Sequence, residues 1–336
     1  MTAPVSAAPP LPAEPETARS GHQPMGASSV SLAILTTVFW GGTAVSNQFV
    51  MDVLPPLFVG GLRFALAALF MFFWCLLDGS PLGLKRNQWW PVWIMGVLLY
   101  LQIGTFNIGA DRSSTSHASI LVNSYIFWVA VWEHFISRTI QLVGRQWIGL
   151  VLAALGCGWV FLETGPSQAG SYDEPTVIGD LILALSGFIL AIKIVYTKEC
   201  VRVVPPGTLI LWHDIVGTLL FFITCPLLET QKWGRMTPEA WWALLYSGLI
   251  VSGFCFGANA MLLRKHGASQ VSVFSFGTPI VGVALGVWLR GDHLSIGLLG
   301  GGILVAIGIY LVNKTGGAGP SQHGNSPECV PAETGS

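Results

Sequence analysis

Ionisable and amide side chains fall inside the most hydrophobic parts of this sequence. Four ionisable residues among them are candidates for a functional site, namely Arg63, Lys193, His213 and Asp214. An ionisable residue exposed to lipid is costly, so such residues usually face protein or a water-filled space. Eight amide or aromatic residues lie in the same apolar runs, namely Trp40, Asn47, Gln48, Gln102, Asn107, Asn123, Tyr125 and Asn259. The pattern predicts a polar pathway for a small solute within a membrane.

The composition of the chain shows what must surround these residues. Of the 336 residues, 52% are hydrophobic and 10% are charged, whereas a soluble domain has about 25% charged residues. A soluble fold of this length could not hide so much apolar surface from water. The net charge of -1 gives no field that would attract nucleic acid, and we expect none as a partner. The sequence therefore predicts a protein embedded in the lipid bilayer.

Ten segments are long and apolar enough to cross the bilayer, which takes about 20 residues as a helix. They cover residues 31–51, 57–77, 89–110, 116–137, 145–162, 178–198, 207–228, 240–263, 270–289 and 295–313. The flanking residues 1–30 and 314–336 are polar or rich in Pro and Gly, and we expect disordered tails there. The predicted fold class is an all-α membrane protein with ten transmembrane helices.

The second half of the sequence repeats the first half. The segment WWPVWIMGVLLYLQIGTFN from Trp89 aligns with WWALLYSGLIVSGFCFGAN from Trp241, at an offset of 152 residues. Each repeat holds five spans, and because five is odd, the two repeats must enter the membrane from opposite sides. The predicted division is a first repeat, a loop and a second repeat, at residues 31–162, 163–177 and 178–313.

The distribution of basic residues predicts the orientation. If the N-terminus is cytoplasmic, ten Lys and Arg residues lie on the inner side and four on the outer side. Cytoplasmic loops of membrane proteins carry an excess of Lys and Arg. We therefore expect a multi-pass protein of the cell (inner) membrane with both termini and both tails in the cytoplasm, and with the 163–177 loop outside.

Inverted repeats are the architecture of alternating-access transporters, in which the substrate path lies between the halves. The leading hypothesis is a secondary transporter that moves a small metabolite by rocking of the two repeats. The alternatives are an intramembrane enzyme that uses His213–Asp214 or Glu133–His134 for acid–base chemistry, and a non-transporting membrane sensor with a dry interior. The sequence contains neither a GxSxG nor an HExxH motif. We therefore expect no enzyme activity, cofactor or metal, and a monomer or homodimer.

Several candidates also have a purely structural interpretation. Lys193 could snorkel to the membrane interface or pair with Asp214, and Arg63 could reach the lipid headgroups. The asparagines could simply hydrogen-bond neighbouring helices. Trp40 is a candidate for an aromatic wall of the pathway.

The fifth and tenth spans differ from the others. They contain small residues spaced four apart, such as Gly149 and Ala153 or Gly297 and Gly301, and almost no polar side chains. This spacing favours close packing of helices rather than contact with a solute.

Three segments and the duplicated unit also resemble a known family. The segments are FWGGTAVSNQF, PPLFVGGLRFALAAL and FSFGTPIVGVALGVWLRGDHLSIGLLGGGILVAIGIYL. Over residues 31–313 the chain resembles EamA-type proteins of the drug/metabolite transporter superfamily. The resemblance implies two inverted five-helix EamA repeats and export of small metabolites, amino acids or drugs through a central cavity. Arg63 resembles the arginine of the family's second helix. Phe127 replaces a usual proline, and the segment SSTSHAS at 113–119 has no counterpart in the family pattern.

Overall fold

The computed structural model describes residues 25–136, 143–163, 175–229, 234–266, 271 and 273–313. The predicted C-terminal tail, most of the predicted N-terminal tail and most of the 163–177 loop lie outside the described residues. Six helices of the described chain are long and apolar enough to cross a membrane, and the described chain forms ten helices in all. The ten helices are α1 (Ala27–Met51), α2 (Pro56–Asp78), α3 (Trp89–Ala110), α4 (Thr115–Val122 and Tyr125–Phe135), α5 (Gly144–Glu163), α6 (Val177–Cys200), α7 (Pro206–Leu228), α8 (Pro238–Lys265), α9 (Gly277–Arg290) and α10 (Ile296–Asn313).

Each helix corresponds to one predicted span, but α1 begins four residues before its span. Helix α1 begins at Ala27 rather than at residue 31, since the polar Ser28 and Ser29 continue the helix without adding hydrophobicity. The predicted start of the ninth span, residue 270, lies outside the described residues, and helix α9 begins at Gly277 after a 3-10 turn at Val273–Phe276. Hydropathy locates membrane depth and does not distinguish a helix from an apolar turn.

Four helices are irregular where the sequence predicts regular spans. Helix α1 has a turn at Gly42, and helix α9 ends in a π-helical segment at Gly286–Arg290. Helix α4 breaks at Asn123, whose side-chain Nδ2 donates to the carbonyl of Ser119 at 2.6 Å and competes with the backbone pattern. Helix α8 contains a π-helical segment at Tyr246–Cys255. Such segments are frequent at functional sites, because they redirect side chains and free carbonyl groups.

The two repeats are related by inversion. Val53 lies before α2 and its carbonyl accepts a hydrogen bond from the amide of Gly234 at 2.8 Å. The equivalent Val203 lies before α7, at an offset of 150 residues, and its carbonyl accepts one from Nε2 of Gln88 at 2.7 Å. In both cases Pro at the first helical position starts the next helix. The same turn is thus built once at each end of the helix bundle.

Helix packing follows the same symmetry. Helix α1 packs on α9 as α6 packs on α4, and α2 packs on α8 as α7 packs on α3. Helices α2 and α7 pack on each other, as do α5 and α10. The closest helix pairs therefore join one repeat to the other, and this arrangement confirms the predicted pair of inverted five-helix repeats.

Glu229 at the end of α7 stabilises the start of α2 in the other repeat. Its two carboxylate oxygens accept hydrogen bonds from the amides of Leu57 at 2.6 Å and Phe58 at 3.2 Å. These amides belong to the first turn of α2 and have no acceptor within their own helix. A carboxylate at this position also interacts favourably with the helix dipole.

We therefore expect Glu229→Ala to lower the stability of the protein by about 1 kcal/mol, as for the loss of other N-terminal caps. The thermal unfolding temperature of the purified protein would measure this. Glu199→Ala is the matched control, because Glu199 forms an exposed pair with Arg202 at 2.8 Å and such pairs contribute little. An equal effect of the two substitutions would contradict the proposed cap.

Candidate functional site

A cavity lies between the two repeats, at the centre of the helix bundle. It holds about 970 Å³ of space, its open mouth included. Every helix except α5 and α10 contributes to its wall among the described residues. Helices α5 and α10 pack on each other instead, which confirms the prediction that their small residues serve packing.

Eight of the predicted pathway residues line this cavity. They come from both repeats: Trp40, Arg63, Gln102, Asn123, Tyr125, Lys193, His213 and Asn259. Residues far apart in the sequence thus meet at one place, as expected for a path between inverted repeats.

The other four predicted residues are not part of the wall. Asn47 and Asn107 are fully buried behind it, where Nδ2 of Asn47 donates to Oδ1 of Asn107 at 2.9 Å. Asn107 in turn donates to the carbonyl of Pro56 at 2.9 Å. Gln48 is also buried, and its Oε1 has no hydrogen-bond partner. The structural interpretation of the asparagines therefore fits Asn47 and Asn107, whereas Asn123 and Asn259 reach the cavity.

Arg63 lies at the wall of the cavity, and protein groups hold its side chain. Only 1% of the residue is exposed. Its Nε donates to Oγ of Ser252 at 2.5 Å and to the carbonyl of Ser247 at 3.2 Å, both in the π-helical segment of α8. Its Nη1 donates to Oδ1 of Asn47 at 3.3 Å. Arg63 therefore joins α2 to α1 and α8, and the interpretation that it reaches the lipid headgroups was wrong.

Lys193 lines the cavity, and its Nζ lies over an aromatic ring. Its Nζ is 4.3 Å from the centre of the Phe256 ring, a distance typical of a cation–π contact. The residue is 3% exposed, and Nζ has no hydrogen-bond partner. The side chain therefore does not snorkel to the interface. The predicted ion pair with Asp214 is also not formed, because neither carboxylate oxygen of Asp214 has a hydrogen-bond partner.

His213 is oriented by the backbone of its own helix. Its Nδ1 lies 2.7 Å from the carbonyl oxygen of Ile210, and because a carbonyl only accepts, Nδ1 carries a hydrogen. The same Nδ1 is 3.2 Å from Oδ1 of the adjacent Asp214. The Nε2 atom has no partner and lies on a side chain that lines the cavity. In the neutral ring Nε2 is a hydrogen-bond acceptor.

Gln102 presents a second free acceptor. The side-chain Nε2 of Gln102 donates to Oγ of Ser186 at 3.3 Å. Oγ of Ser186 donates in turn to the backbone carbonyl oxygen of Gln102 at 2.8 Å. These bonds fix the carboxamide against α6, while Oε1 stays without a partner.

The aromatic part of the wall was only partly predicted. Trp40 and Phe256 meet edge to face with ring centres 6.0 Å apart. Phe256, Thr43 and Thr278 also line the cavity and were not predicted from the sequence. Helical spacing could have indicated Phe256, since it lies three residues before Asn259 on the same face of α8.

His134, from the second pair proposed for acid–base chemistry, does not line this cavity. The ring of His134 packs edge to face on that of Trp147 at 5.6 Å. The side chain of Glu133 lies outside the described residues.

The unmatched segment 113–119 forms a polar cluster at the start of α4. Nδ1 of His117 is 3.0 Å from Oδ2 of the buried Asp180 on α6. Ser116 donates both its amide, at 2.7 Å, and its hydroxyl, at 2.6 Å, to Oδ2 of Asp292. These contacts join α4 to the second repeat and give the segment a structural role that its sequence did not predict.

The fold and the cavity agree with the similarity to known proteins. Residues 27–162 and 177–314 each match the EamA-like transporter family. The chain belongs to this family. It is therefore a multi-pass membrane transporter with duplicated EamA domains, as the resemblance implied.

Individual relatives are distant but match over most of their length. The uncharacterized transporter YoaV of Bacillus subtilis (strain 168) is 24% identical over 285 residues, which cover 84% of this chain and 96% of the relative. A probable amino-acid metabolite efflux pump of Salmonella typhimurium is 24% identical over 303 residues, which cover 83% of this chain and 93% of the pump. A solved crystal structure has the same fold, with a TM-score of 0.66 at 18% identity over 85% of this chain and 98% of that one.

Proposed function

We propose that the protein exports a small amphipathic metabolite, either amino acid-like or drug-like, through the cavity between its repeats. The observation that carries this proposal is a central cavity lined by both repeats with polar side chains, some of which have no partner in the protein. The pump from Salmonella typhimurium, named for amino-acid metabolite efflux, is consistent with such a substrate.

The orientation that we propose has both termini in the cytoplasm and the turns before α2 and α4 outside. The loops on the cytoplasmic side in this orientation carry the excess of Lys and Arg residues, which supports it. The membrane is then the cell membrane, and the chain acts as a monomer or homodimer.

The packing of the helices changes the expected motion. Because helices of one repeat pack mainly on helices of the other, the repeats cannot rock as two separate bodies. We propose that access alternates by tilting of helix pairs that join the repeats, such as α1 with α9 and α4 with α6. The cavity would then open to one side at a time while α5 and α10 stay packed.

Filling the cavity is expected to stop transport. Val122 lines the cavity on α4, so Val122→Trp places an indole ring in the path. Val151→Trp is the matched control, because Val151 lies on α5 and 56% of the residue is exposed on the outer surface of the bundle.

The measurement uses vesicles that contain the purified protein and are loaded with a mixture of the proteinogenic amino acids. We expect release of at least one of them by the wild type and the control, and release at the level of protein-free vesicles for Val122→Trp. Equal release by both variants would contradict the proposed path. Retention of all solutes by the wild type would contradict an amino acid-like substrate.

A further inference from the structure

The wall of the cavity carries an unbalanced charge. Two basic residues, Arg63 and Lys193, line it, and none of its described lining residues is acidic. Asp214 is within electrostatic range of both but lies outside the wall and contacts neither side chain through a hydrogen bond. Burying a cation without a hydrogen-bond partner is unfavourable, so an anionic group of a solute beside these two residues would be stabilised.

The two cations differ in what they can offer a solute. The guanidinium of Arg63 already donates to three protein oxygens, on Asn47, Ser247 and Ser252. The ammonium of Lys193 has three hydrogens and no acceptor, and only the face of the Phe256 ring lies against it. All three hydrogens of the Lys193 ammonium are therefore free for a ligand, whereas the Arg63 guanidinium is already anchored by protein groups.

Two hydrogen-bond acceptors in the wall of the cavity have no donor, which indicates that the ligand carries a donor group. Oε1 of Gln102 and Nε2 of His213 both lack a hydrogen-bond donor. Both side chains are held by protein contacts through their other polar atoms, so these two acceptors are fixed. A ligand that carries a hydrogen-bond donor would satisfy them.

We propose that Lys193 binds an anionic group of the transported solute, a carboxylate, while Gln102 and His213 accept hydrogen bonds from a donor group on the same molecule. This inference rests on the proposed transport through the cavity and narrows its substrate class. A solute with a carboxylate and an amino or hydroxyl group fits the wall. Lipophilic cations, which drug-like substrates often are, would meet two like charges.

Four probes with the same phenyl ring separate these classes. L-Phenylalanine and 3-phenylpropionate carry a carboxylate, whereas L-phenylalaninamide and 3-phenylpropionamide replace it by an amide of nearly the same shape. A hydrogen bond to a charged group is worth about tenfold to a hundredfold in affinity. We expect each carboxylate to bind the purified protein more tightly than its amide by a factor in this range, as measured by titration calorimetry. Phenylalanine is expected to bind more tightly than 3-phenylpropionate, because only its ammonium group can donate to Gln102 and His213.

Substitution of Lys193 tests the residue directly. Lys193→Met keeps the length of the side chain and removes its charge, so the preference for carboxylates over amides should disappear while amide binding persists. Lys193→Arg should retain the preference. Lys198→Met is the matched control, because Lys198 lies on the same helix, away from the cavity, and should change nothing.

Three results would overturn the inference. They are equal binding of carboxylates and amides by the wild type, an unchanged preference in Lys193→Met, and no binding of either carboxylate up to about 10 mM. Each of them can occur while Val122→Trp still blocks transport, in which case the proposed function stands and the carboxylate site does not.

Discussion

Replacing Gly156 by leucine is expected to separate α5 from α10 and to abolish the folded protein. A Cβ atom at Gly156 would lie 2.6 Å from the carbonyl oxygen of Gly301 and 2.9 Å from the amide nitrogen of Val305. Both atoms belong to the α10 backbone and cannot rotate away, so the helices would have to move apart. Overpacking of a well-packed interior typically costs about 1–3 kcal/mol, and a clash with backbone lies at or above the upper end of that range.

The inverted repeat makes the same contact twice. Gly308 is the equivalent of Gly156 at the offset of 152 residues, and its Cβ would lie 2.5 Å from the carbonyl oxygen of Gly149. Gly308→Leu should therefore have the same effect as Gly156→Leu, because the interface between α5 and α10 is symmetric.

Gly158→Leu is the control for Gly156→Leu, since it changes the same helix by the same side chain. A Cβ atom at Gly158 would meet nothing within 4 Å. We expect this variant to elute as a single species in detergent with an unfolding temperature near that of the wild type, whereas Gly156→Leu aggregates or is degraded. Normal elution and stability of Gly156→Leu would show that α5 and α10 do not pack as closely as the structure has them.

Much of the fold could be predicted from the sequence because membrane spans are long and the repeat is internal. Span length follows from bilayer thickness, and the alignment of Trp89 with Trp241 fixes the duplication. The break in α4 and the π-helical segment of α8 could not be predicted, since single side chains and tertiary contacts cause them.

Some residues of the candidate site could be predicted from the sequence, and others could not. Charges such as Lys193 stand out against an apolar background, so their functional interest is visible in the sequence. Depth in the membrane does not say which way a side chain faces, and Asn47 therefore could not be separated from Asn123. Apolar wall residues such as Phe256 have the same composition as residues that face lipid. They became recognisable only when the helices of both repeats were placed around one cavity.

Arg63→Met is expected to be the most damaging substitution among the charged residues of the cavity. The guanidinium holds together α1, α2 and α8 through Asn47, Ser247 and Ser252. Asn47 also binds Asn107 at 2.9 Å, so the network continues into α3. Leaving one buried polar group without its hydrogen-bond partner costs about 1–3 kcal/mol, and Arg63→Met removes the donor from three such acceptors at once.

The expected result for Arg63→Met is a large fall in unfolding temperature together with loss of transport. Arg63→Lys should recover little, since an ammonium cannot reproduce the planar set of donors that reaches all three oxygens. Arg202→Met provides the control, because Arg202 pairs with Glu199 on the surface with 65% of its side chain exposed. Lys193→Met should differ from Arg63→Met by leaving stability nearly unchanged, since the Lys193 ammonium has no hydrogen-bond partner to lose. If Arg63→Met were as stable as the wild type and lost only solute binding, Arg63 would be a ligand of the solute, and its assignment as the joint of three helices would be wrong.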